Sequence, residues 1–322
     1  MKKLDNLNWS PKWVSQLGCI KGCLDHMGVN ASDAWVYGAS GHAFIINIHD
    51  EVCPSGPTAW NSPGMLALVE NIGCKIENVS SHKSAPDFEE KKKSAWEFTK
   101  SAIDSGFPCY GWELEIPEYF VVYGYDDNGY LFKGPQTNDP TTSDAKPKPW
   151  QKLGEAETGV LYISSVKPTQ SKKDSVLVKE ALTFVIEHDQ NPKKWTFPRY
   201  KTGLGAYDNW IKAIENKTAN GFGVAYNAEV WHECRHLGVE FLKEARARLD
   251  SKLTPLLAEA QGHYEVVRDK LKEVTEIFPF LAFDPEHIKD PSRREKAVAA
   301  LKVARNAEAK GLETLKKIVD KL

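Results

Sequence analysis

The chain has 322 residues, 41% of them hydrophobic and 27% charged, with a formal net charge of −2. That length exceeds the usual single domain, so two are expected, each with an ordinary apolar core. The near-neutral balance gives no reason to expect nucleic acid or an anionic membrane as partner, and no run of about 18 or more apolar residues is present to span a bilayer.

The opening MKKLDNLNWSPKW carries two lysines but no apolar stretch, so it does not read as a secretory signal. Six cysteines are scattered along the chain, Cys19, Cys23, Cys53, Cys74, Cys109 and Cys234. Without a secretory signal they read as reduced, core-filling thiols of a cytoplasmic protein rather than a disulfide framework. No cofactor is expected.

In chain order, residues 15–28 carry Leu17, Ile20, Leu24 and Met27 at helical spacing and stop at Gly28. A short helix restarts after Asn30 and is broken by the glycines at 38 and 41. Ala43–Ile48 reads as a buried strand, Asn61–Ile72 as a helix, and Cys74–Val79 as a strand with alternating faces. Phe88–Ser105 is an amphipathic helix closed by Gly106. Strands are expected over 108–114 and 118–125, a turn at 126–129, and a further strand over 130–133. A Pro- and Thr-rich loop fills 134–150, and a last strand runs over 158–166. Beyond the polar linker at 168–174 strand signals vanish. Helices are expected over 174–190, 205–217, 225–253, 256–277 and 291–322. The last has a one-sided apolar stripe, Val298, Leu301, Leu312, Leu315 and Val319, which leaves self-association through the C-terminal helices open.

Three of these segments carry a resemblance. Ser15-Gln-Leu-Gly-Cys19-Ile20, with Leu24 and Gly28 following, is similar to the first core helix of the papain-like superfamily. The branches it resembles are the C39-type peptidases and the butirosin-biosynthesis-H-type acyltransferases. Asp33–Gly41 resembles the helix and glycine loop that follow in the second branch, and Tyr119–Asp127 the strand that runs from the catalytic His into Gly-Tyr-Asp. The resemblance implies an α+β fold over residues 1–168, with an antiparallel sheet and a long first helix, followed by a mainly α-helical region over 172–322.

It also implies where chemistry would sit, and those positions depart from the family. The nucleophile slot holds Ser15 instead of Cys, the His slot holds Glu118, the Asp slot Gly134, and the oxyanion Gln slot Trp9. A serine hydroxyl is a poor nucleophile until a base takes its proton, and a carboxylate serves only if its pKa rises well above ~4.3. The chain therefore reads as a catalytically divergent or degenerate papain-like protein that binds a small-molecule or peptide-like ligand. The alternative nucleophile on the same helix face is Cys19, one turn beyond Ser15. Trp112 and Glu113 would line a pocket beside the cleft. On the strand, Cys109, Gly111 and Glu113 are expected on one face and Tyr110, Trp112 and Leu114 on the other.

Other readings stand beside this one. Cys53 lies four residues after His49, so an active thiol acyltransferase or amidase has two candidate nucleophiles, Cys19 and Cys53. His232-Glu-Cys-Arg-His236 spells a zinc-hydrolase signature, two imidazoles one helical turn apart with a glutamate base. Arg235 beside the second His and the lack of a downstream ligand other than Glu240 argue against it, so no metal is expected. A helical interaction or structural protein is the remaining class.

Overall fold

The computed structural model describes residues 1–135 and 146–322, so most of the expected loop over 134–150 lies outside the described residues. β1 (Lys2–Lys3) precedes α1 (Ser15–His26) and α2 (Asp33–Ala39), followed by β2 (Asn47–His49) and α3 (Pro63–Val69). Next come β3 (Cys74–His82), α4 (Phe88–Asp104), β4 (Cys109–Trp112), β5 (Tyr119–Asp126), β6 (Gly129–Lys133) and β7 (Val160–Pro168). The remainder is α5 (Asp174–Gln190), α6 (Pro192–Trp195), β8 (Tyr200–Thr202), α7 (Gly203–Glu215), α8 (Gly221–Arg248), α9 (Thr254–Ile277) and α10 (Pro291–Lys321). The protein is α+β, with an antiparallel sheet and a helical C-terminal region. No helix among the described residues is long and apolar enough to cross a membrane.

Two compact units are present, Met1–Ala31 with Gly73–Ser171, and Ser32–Ile72 with Lys172–Leu322. The border read from the sequence is thus interrupted: residues 32–72 group with the C-terminal helices.

In the first unit the sheet runs β1-β5-β4-β7-β3, with β6 also paired to β5, and every pairing is antiparallel. Phe88, Ala95, Trp96, Ala102 and Ile103 of α4 cluster with Cys109, Phe120, Val122, Leu161 and Ile163 of the strands. The helix α1 packs against β4, β5 and β7. Its Gly18 and Gly22 are required by close approach, because a β-carbon there would lie 2.3 Å from the Ser10 carbonyl and 1.9 Å from that of Asn8. Residues 8–10 thus lie directly along the glycine face of the helix.

β4 is shorter than expected. It ends at Trp112, and Glu113 adopts φ 55°. That left-handed residue breaks the alternation, so Leu114 joins the α4-side core together with Cys109 instead of opposing it.

In the second unit α8, α9 and α10 pack in succession, α5 and α7 close against α10, and α2 lies on α8. The α10 seam is made of Ala297, Ala300, Leu301, Ala304, Leu315 and Ile318, all buried, while Val298, Leu312 and Val319 sit at its margins. The strand expected over Ala43–Ile48 is reduced to β2, paired with a strand the sequence did not signal, β8. The reason is visible at Arg235. Its Nη1 donates to the carbonyls of Ala43 (3.1 Å) and Ile45 (2.8 Å), which takes acceptors a neighbouring strand would need. Its Nε and Nη2 donate to Glu308 at 2.9 and 3.1 Å, and the Tyr207 hydroxyl donates to the same carboxylate at 3.0 Å. Arg235 is 0% and Glu308 1% exposed, so neither charge has a solvent alternative.

Replacing either partner leaves an uncompensated buried charge, worth about 3–5 kcal/mol. Arg235→Leu and Glu308→Leu should each lose that much in urea unfolding. The double variant should stay destabilised, because the carbonyls of Ala43 and Ile45 still lack donors at about 1–3 kcal/mol apiece. A double variant as stable as the wild type would show that the guanidinium does not hold this segment.

Candidate functional site

Ser15 opens α1, with no side-chain cap on the preceding Val14. Its hydroxyl donates to Glu118 Oε2 and accepts from the backbone N–H of Tyr119 at 3.0 Å. These residues are 103 positions apart in sequence. They meet because α1 lies on the sheet and the β4–β5 hairpin ends at its N-terminus, where the helix dipole favours a carboxylate. Glu113 N–H donates to the Glu118 carbonyl at 2.8 Å and closes that hairpin.

Beside this pair lies a stretch of aromatic sheet surface. The ring centroids of Tyr110, Tyr119 and Tyr162 are 5.8 to 6.1 Å apart, and Trp112 meets Tyr119 edge-on at 4.9 Å. Trp112, Tyr119 and Tyr162 are half-buried. Burial pushes the phenols of Tyr110 and Tyr119 up, so both remain protonated donors. Trp112 Nε1 donates to Thr158 Oγ1 at 3.2 Å, and that hydroxyl donates to Glu113, which is itself buried. Trp112 and Glu113 are therefore bridged through Thr158, a residue that no sequence pattern singles out. Of the other two positions singled out in the sequence, Gly134 lies against the Phe120 ring, where a β-carbon would come within 2.5 Å. The Trp9 indole nitrogen lies beside Gly18 of α1 and has no hydrogen-bond partner.

Cys19 is fully buried, and burial followed by the neighbouring Cys23 and Glu118 drives its thiol well above the ordinary value. A thiolate there is disfavoured on every count, since each neighbour is neutral or negative.

In the second unit, Cys53 Sγ lies 3.3 Å from the Tyr200 hydroxyl and 2.7 Å from Ser55 Oγ, and the two hydroxyls are 2.6 Å apart. His49 packs edge-on against Tyr200 at 4.9 Å, and its Nδ1 accepts from Glu51 N–H at 3.1 Å. Tyr200 thus stands between the imidazole and the thiol. Burial, then the hydrogen bond to Cys53, pushes the Tyr200 phenol up to about 12, which makes it a donor rather than a base at neutral pH.

The His-Glu-x-x-His segment is consumed by packing. Glu233 accepts from the Tyr37 hydroxyl at 2.7 Å, Cys234 Sγ lies 3.5 Å from His42 Nδ1, and Arg235 pairs with Glu308. His232 is half-buried and pulled down to about 4, by desolvation first and then by His236 and nearby cations of α9. His236 is exposed. Among the described residues no group of three or more His, Cys, Asp or Glu is placed to hold a metal ion.

The His42–Cys234 contact escaped the sequence reading, because 192 residues separate the two. It is not a catalytic pair. Burial pushes the Cys234 thiol up, and burial with Arg235 nearby pulls His42 down to about 3. Both partners are held neutral, the opposite of a thiolate–imidazolium pair. His42 stacks on Trp231 at 5.8 Å. His188, boxed by Trp60, Phe184 and Trp195, is likewise pulled to about 3, by burial first and then by His42 and Arg235.

No protein-family model matches this chain, and no curated protein matches it at a significant level.

The two buried histidines give the protein a predictable acid response. Their folded pKa values lie below the unfolded 6.5, so the unfolded chain takes up protons that the folded state refuses. Stability is full above pH ~6.5 and falls as pH drops toward ~3, by up to about 1.4 kcal/mol per pH unit for each histidine. Urea unfolding between pH 7.5 and 5 should show the decline, and His188→Phe should flatten it relative to wild type. An unchanged slope in that variant would mean that His188 is not held neutral.

Proposed function

We propose that the first unit is a papain-like scaffold, of the kind found in C39-type peptidases and butirosin-biosynthesis-H-type acyltransferases, whose catalytic positions have been exchanged. On this reading the protein binds a small-molecule or peptide-like ligand and does not turn one over by thiol chemistry. The observation that carries it is the Ser15–Glu118 hydrogen bond. The two residues assigned to the nucleophile and base slots from separate segments are partners in space, as a Cys–His pair in that fold would need to be. What has replaced the pair is a hydroxyl already engaged as donor and acceptor. A hydroxyl–carboxylate contact is a stable hydrogen bond, whereas a thiolate–imidazolium pair is a poised nucleophile. The neighbouring Trp112, Tyr119 and Tyr162 offer aromatic surface for an apolar ligand group.

Putting the lost chemistry back tests the assignment. In a Ser15→Cys/Glu118→His variant the introduced thiol should titrate below its ordinary ~8.5, read by thiolate absorbance, while Ser15→Cys alone should not. An introduced thiol that titrates identically in the single and double variants would remove the basis for equating these slots.

One observation favours a second reading, an acyltransferase or amidase acting through Cys53. It alone among the six cysteines is not fully buried. Rapid, stoichiometric alkylation of Cys53 near neutral pH, with loss of turnover of an amide or thioester, would support that reading. Slow labelling without such turnover is the expected result.

A further inference from the structure

A cavity of about 310 Å³ in the second unit is walled by Asp50 and Glu51 after β2, Arg199 and Lys201 around β8, and Asn209 and Lys212 of α7. It is rigidly built. The buried Asn209 Nδ2 donates to the carbonyls of Ile48 (3.0 Å) and Arg199 (3.4 Å), stitching α7 to both strands. Arg199 Nη2 lies 3.0 Å from Asp50 and 2.9 Å from Glu51. Backbone strain also converges here. Five non-glycine residues have positive φ among those described, and three border this cavity: Arg199 (73°) lines it, Val52 (53°) follows Glu51, and Lys217 (60°) sits between lining residues Asn216 and Thr218. A β-branched residue at positive φ is costly, and such outliers gather where a structure holds a ligand.

The charges decide what the cavity would hold. Arg199 is committed to two carboxylates, and Asp208 to Arg305 at 2.7 Å. The side chains of Lys201 and Lys212 make no hydrogen bond or ion pair with any described residue, so two ammonium groups on this wall lack counter-ions. Arg199 and Lys201 line the cavity, whereas Tyr200 between them meets Cys53 and Ser55. The Cys53 cluster is not part of the lining, and no thiol lines the cavity.

We propose that this cavity binds a small molecule carrying a carboxylate or phosphate, its oxyanion held by Lys201 and Lys212. Asp50 and Glu51 on the adjoining wall favour a ligand that also presents a hydrogen-bond donor. The volume suits a small metabolite and not a folded partner. This site is separate from the Ser15–Glu118 pair and does not depend on how that pair is read.

The test uses the full chain with inorganic phosphate and glycolate as probes, followed by ligand-observed NMR and thermal shift against sodium chloride of equal ionic strength. Stabilisation by phosphate alone identifies a phosphate ligand, by glycolate alone a carboxylate, and by both the shared oxyanion chemistry. The Lys201→Ala/Lys212→Ala variant should weaken binding by about tenfold or more, since two charge-assisted contacts are removed. Both lysines are exposed, so its melting temperature without ligand should match wild type. If that variant does not fold, Lys212→Gln alone should still weaken binding severalfold. Neither anion binding, or lysine variants binding as wild type, would overturn the proposal.

Discussion

A guanidinium with no exposed surface is tolerated only when its donors find acceptors, and Arg235 meets that condition through Glu308 and the carbonyls of Ala43 and Ile45. The ion pair ties α8 to α10, and the carbonyl contacts tie α8 to the segment that leads into β2. Because that segment gives its acceptors to Arg235, it does not extend the ladder, and β2 remains three residues long. β2 pairs with β8, and the cavity around Arg199 is walled by Asp50 and Glu51 just after β2 and by Lys201 of β8. Much of the second unit's local geometry thus follows from one buried cation.

The same arrangement holds the titratable groups around it neutral. Arg235 adds to desolvation in holding His42 and His188 neutral, and Cys234 beside His42 stays a thiol. A residue pattern that would signal metal-assisted hydrolysis on an exposed helix is here divided among a tyrosine partner, an imidazole neighbour and an ion pair. A motif specifies spacing along one helix. Metal binding requires in addition that both imidazoles face a common open site with further ligands.

In the first unit the corresponding constraint is the contact between the N-terminus of α1 and the end of the β4–β5 hairpin. Ser15 and Glu118 are fixed by elements that do not depend on their chemistry: a glycine-faced helix against residues 8–10, and a hairpin closed by a left-handed Glu113. Such a scaffold brings two polar side chains together whatever their chemistry. The hydrogen bonds that join Trp112 to Thr158 and Thr158 to Glu113 extend the polar set along the hairpin beside the aromatic surface.

The helices α1, α4, α5 and α7 to α10 and the strands β3 to β7 were all legible in the sequence, because amphipathic period and turn residues are local properties. The pairing of Ser15 with Glu118 joins residues 103 positions apart, which no local pattern in the sequence encodes. What the sequence did not determine depends on long-range partners. The shortness of β2 and the existence of β8 rest on Arg235 and on pairing across about 150 residues of chain, which no local pattern encodes. The switch of Leu114 to the α4 face rests on the φ of Glu113, a residue type with no left-handed preference. The grouping of residues 32–72 with the C-terminal helices, and the fate of His232 to His236, were likewise set by packing. Sequence fixes which side chains are available and on which face of an element they stand. Only the tertiary structure decides which of them are desolvated together, and desolvation determines whether a thiol, an imidazole or a carboxylate is reactive or merely structural.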